Sequence, residues 1–593
     1  MLRARNSLWV VVLLLAAMPA AARASSGIAL SPAPGTPDAS PGTQISILGV
    51  NFARIRSVRL AGSVTGVHSG RLRRYSHDRG ASFVPVTPLA QGERAQVAVR
   101  IRGRRAAIRY RFQVARLGPP QPALNFKVYQ QAKLQHFVSA PSLLPPRITT
   151  LKGRSQTSIF LTPLPSPVVH PGSNNTVTIS PVGPGGPMIV DRRGRLVWFK
   201  QLTPPEVAAN LRIQRLGSRK VLTWWQGTVT PQAFGLGEGV IADRSYHTIR
   251  RVHAGNGYQM DIHEFTLTRG GDALFTVYSP VLVHLPGTPA GKLSPLLDAI
   301  VQEVDIRTGL VVWEWHSFGH IPLSQSYATP ANSASYDAFH INSVQALPYG
   351  RVLLSARDTS AVYDVARAGG RIVWRIGGKA SDFRLGHGAR FNFQHDAELL
   401  SRNRISIFDD EAGPPQKGPY SRGIVLRLEV RRHRAALVRE YRRSTDTSAQ
   451  SEGSVQTLAG GNVLLGYGAE PFFSEFSRAG RLLFDASLPQ DDGSYRVYGF
   501  PWHATPRTRP AVVAKRSDPA HVTLYASWNG ATEVARWQVL AGATARSLKP
   551  VASVRRSAFE TAIQADSSAS LFVVRALDSR GRVLRTSAAV RAS

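Results

Sequence analysis

The chain has 593 residues, an apolar fraction of 43% and a formal net charge of +36; this is a globular composition, too long for one ordinary domain, and about three are expected. The absence of cysteine excludes disulfides and thiolate chemistry. The charge comes mostly from arginine scattered along the whole chain, without the stripe or motif into which a nucleic-acid binder gathers its charge, so nucleic acid is not an expected partner; a basic surface instead attracts polyanions such as an acidic cell wall and steers anionic substrates.

Residues 1–24 read as a secretory signal. Arg3 and Arg5 form a basic start, Leu8 to Leu15 an apolar run, and Ala22-Arg-Ala24 a small-x-small cleavage site. No later stretch reaches the roughly 20 apolar residues of a transmembrane helix, so export and release are expected, with no integral membrane segment once the signal is removed. Residues 25–140 show period-2 alternation at Gln44-Ile-Ser-Ile-Leu-Gly, Arg56-Ser-Val-Arg-Leu, Ala95 to Ile101 and Ala107 to Val114. Short strands at this spacing, without helical periodicity, predict a small β-sandwich. Pro-rich joints at Leu117-Gly-Pro-Pro-Gln-Pro and Pro141-Ser-Leu-Leu-Pro-Pro carry the chain onward.

Residues 141–506 repeat one unit: a strand, an acidic residue, a Gly turn, and a strand ending in an aromatic. The clear copies run from Asp191 to Trp198, Asp305 to Trp313 and Asp364 to Trp374; weaker ones start at Asp243, Glu429 and Glu475. The six acidic positions lie 52, 62, 59, 65 and 46 residues apart, which suits four-stranded blades and predicts an all-β chain built on a six-bladed β-propeller. A β-helix would repeat over much shorter intervals. Residues 507–593 alternate again, at Val522 to Trp528, Val534 to Leu540 and Leu571 to Leu577, and predict a fibronectin type III or immunoglobulin-like domain with its tryptophans in the core.

A second series interleaves with the hairpins. Asp261-Ile-His263-Glu-Phe, Phe339-His340-Ile-Asn342-Ser and Phe393-Gln-His395-Asp-Ala each stand ahead of a β-rich run. Equivalent positions of a propeller meet near its axis, so His263, His340 and His395 are expected in one pocket, with Arg357 at the far end of the strand after His340. His284, His316, His320 and His387 fall outside this register and are expected to be ordinary hydrogen-bonding residues, although a loop beside the channel could carry His316 and His320.

These residues also resemble a family. Asp261-x-His263-Glu-Phe, Phe339-His340-x-Asn342-Ser, Ser355-x-Arg357, Gln394-His395-Asp396 and Phe408-Asp-Asp410 are similar to the bacterial arylsulfotransferases, over roughly residues 141–506. The resemblance implies an exported six-bladed propeller that moves a sulfo group from a phenolic sulfate donor to a phenol acceptor, without a nucleotide sulfate donor and without a cofactor. It implies His395 as the nucleophile that becomes sulfated, His263, His340 and Arg357 as contacts to the sulfuryl oxygens, and Asn342 and Asp410 as substrate-binding residues. The residue types suit that chemistry on their own account. Arginine and imidazole donors stabilise charge on the oxygens of a sulfuryl group in flight, and a neutral imidazole is a competent nucleophile that divides the transfer into two steps. The departing phenolate needs a proton, which a charged His263 or His340 could supply. Two rival readings are a metal ion held by the three histidines with Asp396 or Glu264, which Arg357 would oppose, and a non-catalytic propeller that binds a wall glycan or a protein.

Overall fold

The computed structural model describes residues 27–124, 133–165, 167–169, 177–179, 183–289, 291–330, 335–415, 417–443 and 447–593. The signal expected at residues 1–24 lies outside them. Among the described residues the regular structure is β-strand, interrupted only by three-residue 3-10 turns, so the chain is all-β.

Residues 29–113 form two four-stranded antiparallel sheets. One orders Ala29–Ser31, Ile45–Leu48, Gly80–Pro85 and Gly70–Arg74; the other orders Gly66–His68, Ile55–Gly62, Arg94–Ile101 and Ile108–Gln113. Their alternation buries one face of each strand, so that Ile45, Ile47, Leu60, Val97 and Val99 meet in a single core. The last sheets, within residues 511–591, enclose a core around Trp528 and Trp537.

Between them, beside two two-stranded ribbons, stand six larger sheets, antiparallel except where Arg384–Leu385 runs parallel to Arg434–Tyr441. Sheet I pairs Ser158–Leu161, Met188–Val190 and Leu196–Phe199 with Tyr498–Phe500 from the far end of the region. Sheet II is Val207–Leu216, Arg219–Val229, Gly235–Ala242 and Thr248–Val252; sheet III is Phe265–Leu267, Asp272–Val283, Ser294–Asp305 and Val311–His316. Sheet IV is Ile341–Leu347, Arg351–Ala356, Ala361–Ala366 and Ile372–Gly377. Sheet V is His395–Ser401, Arg404–Asp409, Arg422–Glu429 and Arg434–Tyr441, extended by Arg384–Leu385; sheet VI is Ser454–Thr457, Val463–Gly466, Phe472–Phe476 and Leu482–Ser487, extended by Thr149–Gly153. Contacts run from I to II, II to III, III to IV, IV to V, V to VI, and from VI back to the Tyr498–Phe500 strand of I.

All six acidic hairpins of the sequence join the third and fourth strands of these sheets. Three show the cause directly: the carboxylates of Asp191, Asp243 and Asp305 each accept two backbone N–H groups from the turn that follows, an Asx turn that sets the reversal. The expected histidine positions fall where the first strands of sheets III, IV and V begin.

Candidate active site

Those three strand starts converge. His263, His340 and His395, with Arg357, line one cavity that encloses about 680 Å³ of empty space including its open mouth. The His263 and His340 rings lie 4.7 Å apart, edge to face. Leu124, Leu164, Val207, Val229 and Ile262 supply an apolar wall, so the cavity joins a polar floor to a surface that suits a flat apolar group.

Each histidine is held the same way. Nδ1 of His263 lies 2.6 Å from Asp261, Nδ1 of His340 2.6 Å from Asp337, and Nδ1 of His395 2.8 Å from Asp410. A carboxylate on Nδ1 fixes both ring orientation and proton position, leaving Nε2 for the cavity. The supports of His395 explain the residues on either side of it. Gln394 donates its amide to Ser355 Oγ, Ala356 O and Ala361 O of sheet IV, while Asp396 accepts the Val455 N–H of sheet VI. The nucleophile expected from the sequence is therefore pinned between two neighbouring sheets.

Arg357 follows the strand Arg351–Ala356, its N–H donating to His340 O at 3.0 Å. Its Nε is bound to Asp358 at 2.9 Å and its guanidinium lies over the Phe393 ring at 4.6 Å. The terminal nitrogens have no hydrogen-bond partner among the described residues, so they remain available to an anion.

Burial, Arg357 and the other two histidines push His395 well below the usual imidazole range. Burial, Arg357 and His263 do the same to His340. Both are neutral near pH 7. At His395 the Glu452 N–H donates to Nε2 at 3.2 Å, which leaves that nitrogen with a lone pair and the ring proton on Nδ1. Burial and Asp409 push the Asp410 carboxyl well up, but with the ring proton on Nδ1 it must act as the acceptor. Burial also raises Asp337, to about 6, against the pull of Arg357 and His263. At Asp261 the burial penalty is outweighed by His263 and by the backbone N–H groups of Gly235 and His263, and its pKa is lowered.

The structure moves two expected substrate contacts behind the cavity. The Asn342 amide donates to Gln394 O at 2.7 Å, as Asn210 does to Ile262 O at 2.8 Å; each asparagine holds the carbonyl just before a site histidine. Asp410 reaches the cavity only through His395. His316, expected to be unremarkable or on a loop, ends the strand Val311–His316 and is buried. Asp396 and Glu264, the carboxylates of the metal reading, are both bound by the buried Arg496, and Glu264 also by Arg212, so neither is free to complete a histidine cluster. Asp337, His340 and Asp358 do bring ligand atoms within 4.8 Å of one another, but Asp337 is committed to His340 and Asp358 to Arg357, whose charge opposes a cation.

Ser451, Tyr495 and Glu452 are among the lining residues that were not singled out from the sequence. Glu452 carries the chemistry. It stands two residues ahead of the first strand of sheet VI, the position that histidine occupies ahead of sheet III. Its backbone is left-handed, with φ +70°, and Gly453 follows at φ +110°, where a Cβ would meet the Phe408 ring at 2.4 Å. One carboxylate oxygen is buried without a partner among the described residues, and burial raises its pKa to about 8.

One fixed guanidinium and three imidazoles, each backed by a carboxylate beside an apolar wall, define a site for handling an oxyanion that carries an apolar group. Residues 212–488 match the family model described as arylsulfotransferase (ASST); the match supports an arylsulfotransferase-family member and sulfo transfer of the arylsulfotransferase type. No curated protein matches the sequence. Among solved structures, the chain is similar to a protein of unknown function from Bacteroides caccae, at 11% identity over 58% of this chain and 98% of that one, with a TM-score of 0.35. It is also similar to the Pseudomonas aeruginosa periplasmic gluconolactonase PpgL, at 11% identity over 73% and 97%, with a TM-score of 0.28. At these scores neither likeness carries an argument. No helix among the described residues is long and apolar enough to cross a membrane.

Proposed function

We propose that the protein is an exported arylsulfotransferase, in which six blades of a β-propeller, I to VI, carry the site between an N-terminal sandwich over residues 25–140 and a fibronectin-like domain over 507–593. The observation that carries this reading is the unprotonated Nε2 of a neutral His395, which accepts only the 3.2 Å bond from the Glu452 N–H, in the same cavity as Arg357, His263 and His340. In the first half-reaction Nε2 attacks the sulfur of an aryl sulfate. The N–S bond forms, the S–O bond to the aryl group breaks, and the electron pair leaves on the phenolate oxygen. Asp410 accepts Nδ1–H throughout and so orients the ring on which charge develops. The phenolate receives a proton from Glu452, which its raised pKa keeps protonated at neutral pH. In the second half-reaction an acceptor phenol returns a proton to Glu452 and attacks the sulfur, and the N–S pair goes back to Nε2.

Arg357 supplies the permanent positive charge for the sulfuryl oxygens. His340 is not a charged donor in the free protein; it becomes one by taking up a proton as the anion enters, with Asp337 behind it as counter-charge. This places the acid for the leaving group on Glu452 rather than on His340. The apolar wall receives the aromatic ring of donor and acceptor in turn, which requires the first phenol to leave before the second enters. Purified protein given a chromogenic aryl sulfate should release phenol at a rate that depends on an added phenol acceptor; release that ignores the acceptor would indicate hydrolysis, and no release would refute the reading.

A further inference from the structure

A second cluster lies where the N-terminal sheets meet sheet III. Asp38, between the strands Ala29–Ser31 and Ile45–Leu48, is 3% exposed, and neither of its carboxylate oxygens has a hydrogen bond among the described residues. It faces His316, whose Nδ1 is 3.3 Å from Asp38 and 2.7 Å from Asp298 Oδ2. Ligand atoms of Asp38, Asp298 and His316 all lie within 4.8 Å of one another. The other oxygen of Asp298 is already occupied by Ser317 Oγ and the Phe318 N–H.

The surroundings are those of a metal centre. His316 Nε2 is 3.0 Å from Glu314 Oε1, and the other Glu314 oxygen accepts from Asn256 Nδ2 and Gln302 Nε2. A ligating histidine characteristically donates its second N–H to a carboxylate held in this way. The charges are unbalanced as they stand: three buried carboxylates face one imidazole, and no arginine or lysine among the described residues pairs with any of the three. Several other buried carboxylates in this arginine-rich chain are met by guanidinium groups, as Asp409 is by Arg422, Asp485 by Arg443 and Glu264 by Arg496. Burying such charge uncompensated is costly.

We propose that Asp38, Asp298 and His316 bind a divalent transition-metal ion of the zinc or manganese kind, with Glu314 orienting the histidine. One imidazole with two carboxylates suits those ions better than calcium or magnesium. Because Asp38 comes from the N-terminal segment and the other ligands from sheet III, the ion fastens the two together. The hydrogen bonds from Ser40 Oγ and Gln44 N to Asn256 close the same seam.

The test uses the full-length, untagged protein after stripping with EDTA. Titration with ZnCl2 and MnCl2, followed by elemental analysis of the dialysed protein, should leave one tightly held equivalent per chain of at least one metal. Saturation should raise Tm by roughly 3 °C or more. His395→Ala, which alters the cavity instead, should retain the equivalent. Asp38→Asn should lose both the equivalent and the Tm response while remaining folded, since it removes one of the crowded charges. His316→Gln provides a second variant, with an amide that can bridge Asp298 and Glu314 without ligating. Binding of neither metal by the wild type below millimolar concentration, or equal binding by both Asp38→Asn and His316→Gln, would overturn the proposal.

Discussion

The strands that open sheets III and V carry charged groups at two places, and the two are treated in opposite ways. At the strand starts, the cavity gathers Arg357 and three histidines with little opposing charge facing inward; the carboxylates of Asp261, Asp337 and Asp410 are turned to the Nδ1 side. One or two residues further on, Arg496 is fully buried, ion-paired with Glu264 and Asp396 and donating to Asn342 O, while Arg212 shares Glu264. The Arg496 cluster joins sheets III, IV and V and balances its charges without a ligand. Burial would raise Glu264, but Arg496 and Arg212 hold it down at about 2. In the cavity the terminal nitrogens of Arg357 have no partner among the described residues. On the proposed function, the difference separates charge that holds the fold from charge reserved for substrate.

Substitutions can break that comparison. The largest effect on turnover is expected at His395→Ala, which should reduce sulfo transfer below roughly a thousandth of wild type with little change in Tm, because its partners can be solvated from the cavity. Arg496→Met should do the reverse: it strands Asp396 and half-strands Glu264, costing about 3–5 kcal/mol in denaturant unfolding, while the folded fraction keeps most of its activity. If Arg496→Met were as stable as wild type but inactive, the division between the two clusters would be wrong. Arg357→Lys preserves the charge but not the fork that meets two oxygens, and a loss of roughly tenfold to a thousandfold in kcat/KM for the donor is expected.

Glu452→Gln sharpens the account of the proton. It keeps the backbone N–H on His395 and removes the acid, so kcat/KM for a donor with a poor leaving group should fall by roughly a hundredfold, and activated donors should be nearly spared. In the wild type the carboxyl is protonated below about 8, so that parameter should decline as pH rises through about 8. The decline should vanish in Glu452→Gln. The lowered pKa of His395 sets the other limb: the nucleophile stays neutral well below pH 6.5, so activity should persist there.

Much of this arrangement was legible in the sequence because repetition exposes it. The acidic turns at Asp191, Asp243 and Asp305 use a local hydrogen-bonding rule, and the histidines share a register ahead of their strands. Arg357 could be placed because Ala356 pairs with Ile341 across one hairpin. What the residues alone did not reveal is direction. Asn342 and Asp410 stand in the recognised motifs, yet each faces a neighbouring sheet or a ring rather than the cavity, and no spacing distinguishes the two. Glu452 was overlooked because its chemistry differs from histidine's, although its place ahead of Ser454–Thr457 continues the same series. The Asp38 cluster was illegible for another reason: its members are brought together by packing between regions more than 200 residues apart.

The central claim is that His395 carries the sulfo group between donor and acceptor. Protein mixed with an aryl sulfate alone, quenched under mildly alkaline conditions and digested, should show by mass spectrometry one added sulfo group on the peptide containing His395. Addition of a phenol acceptor should discharge it, and His395→Ala should never acquire it. A sulfo group on His263 or His340 in the wild type, or full transfer by His395→Ala, would contradict the account.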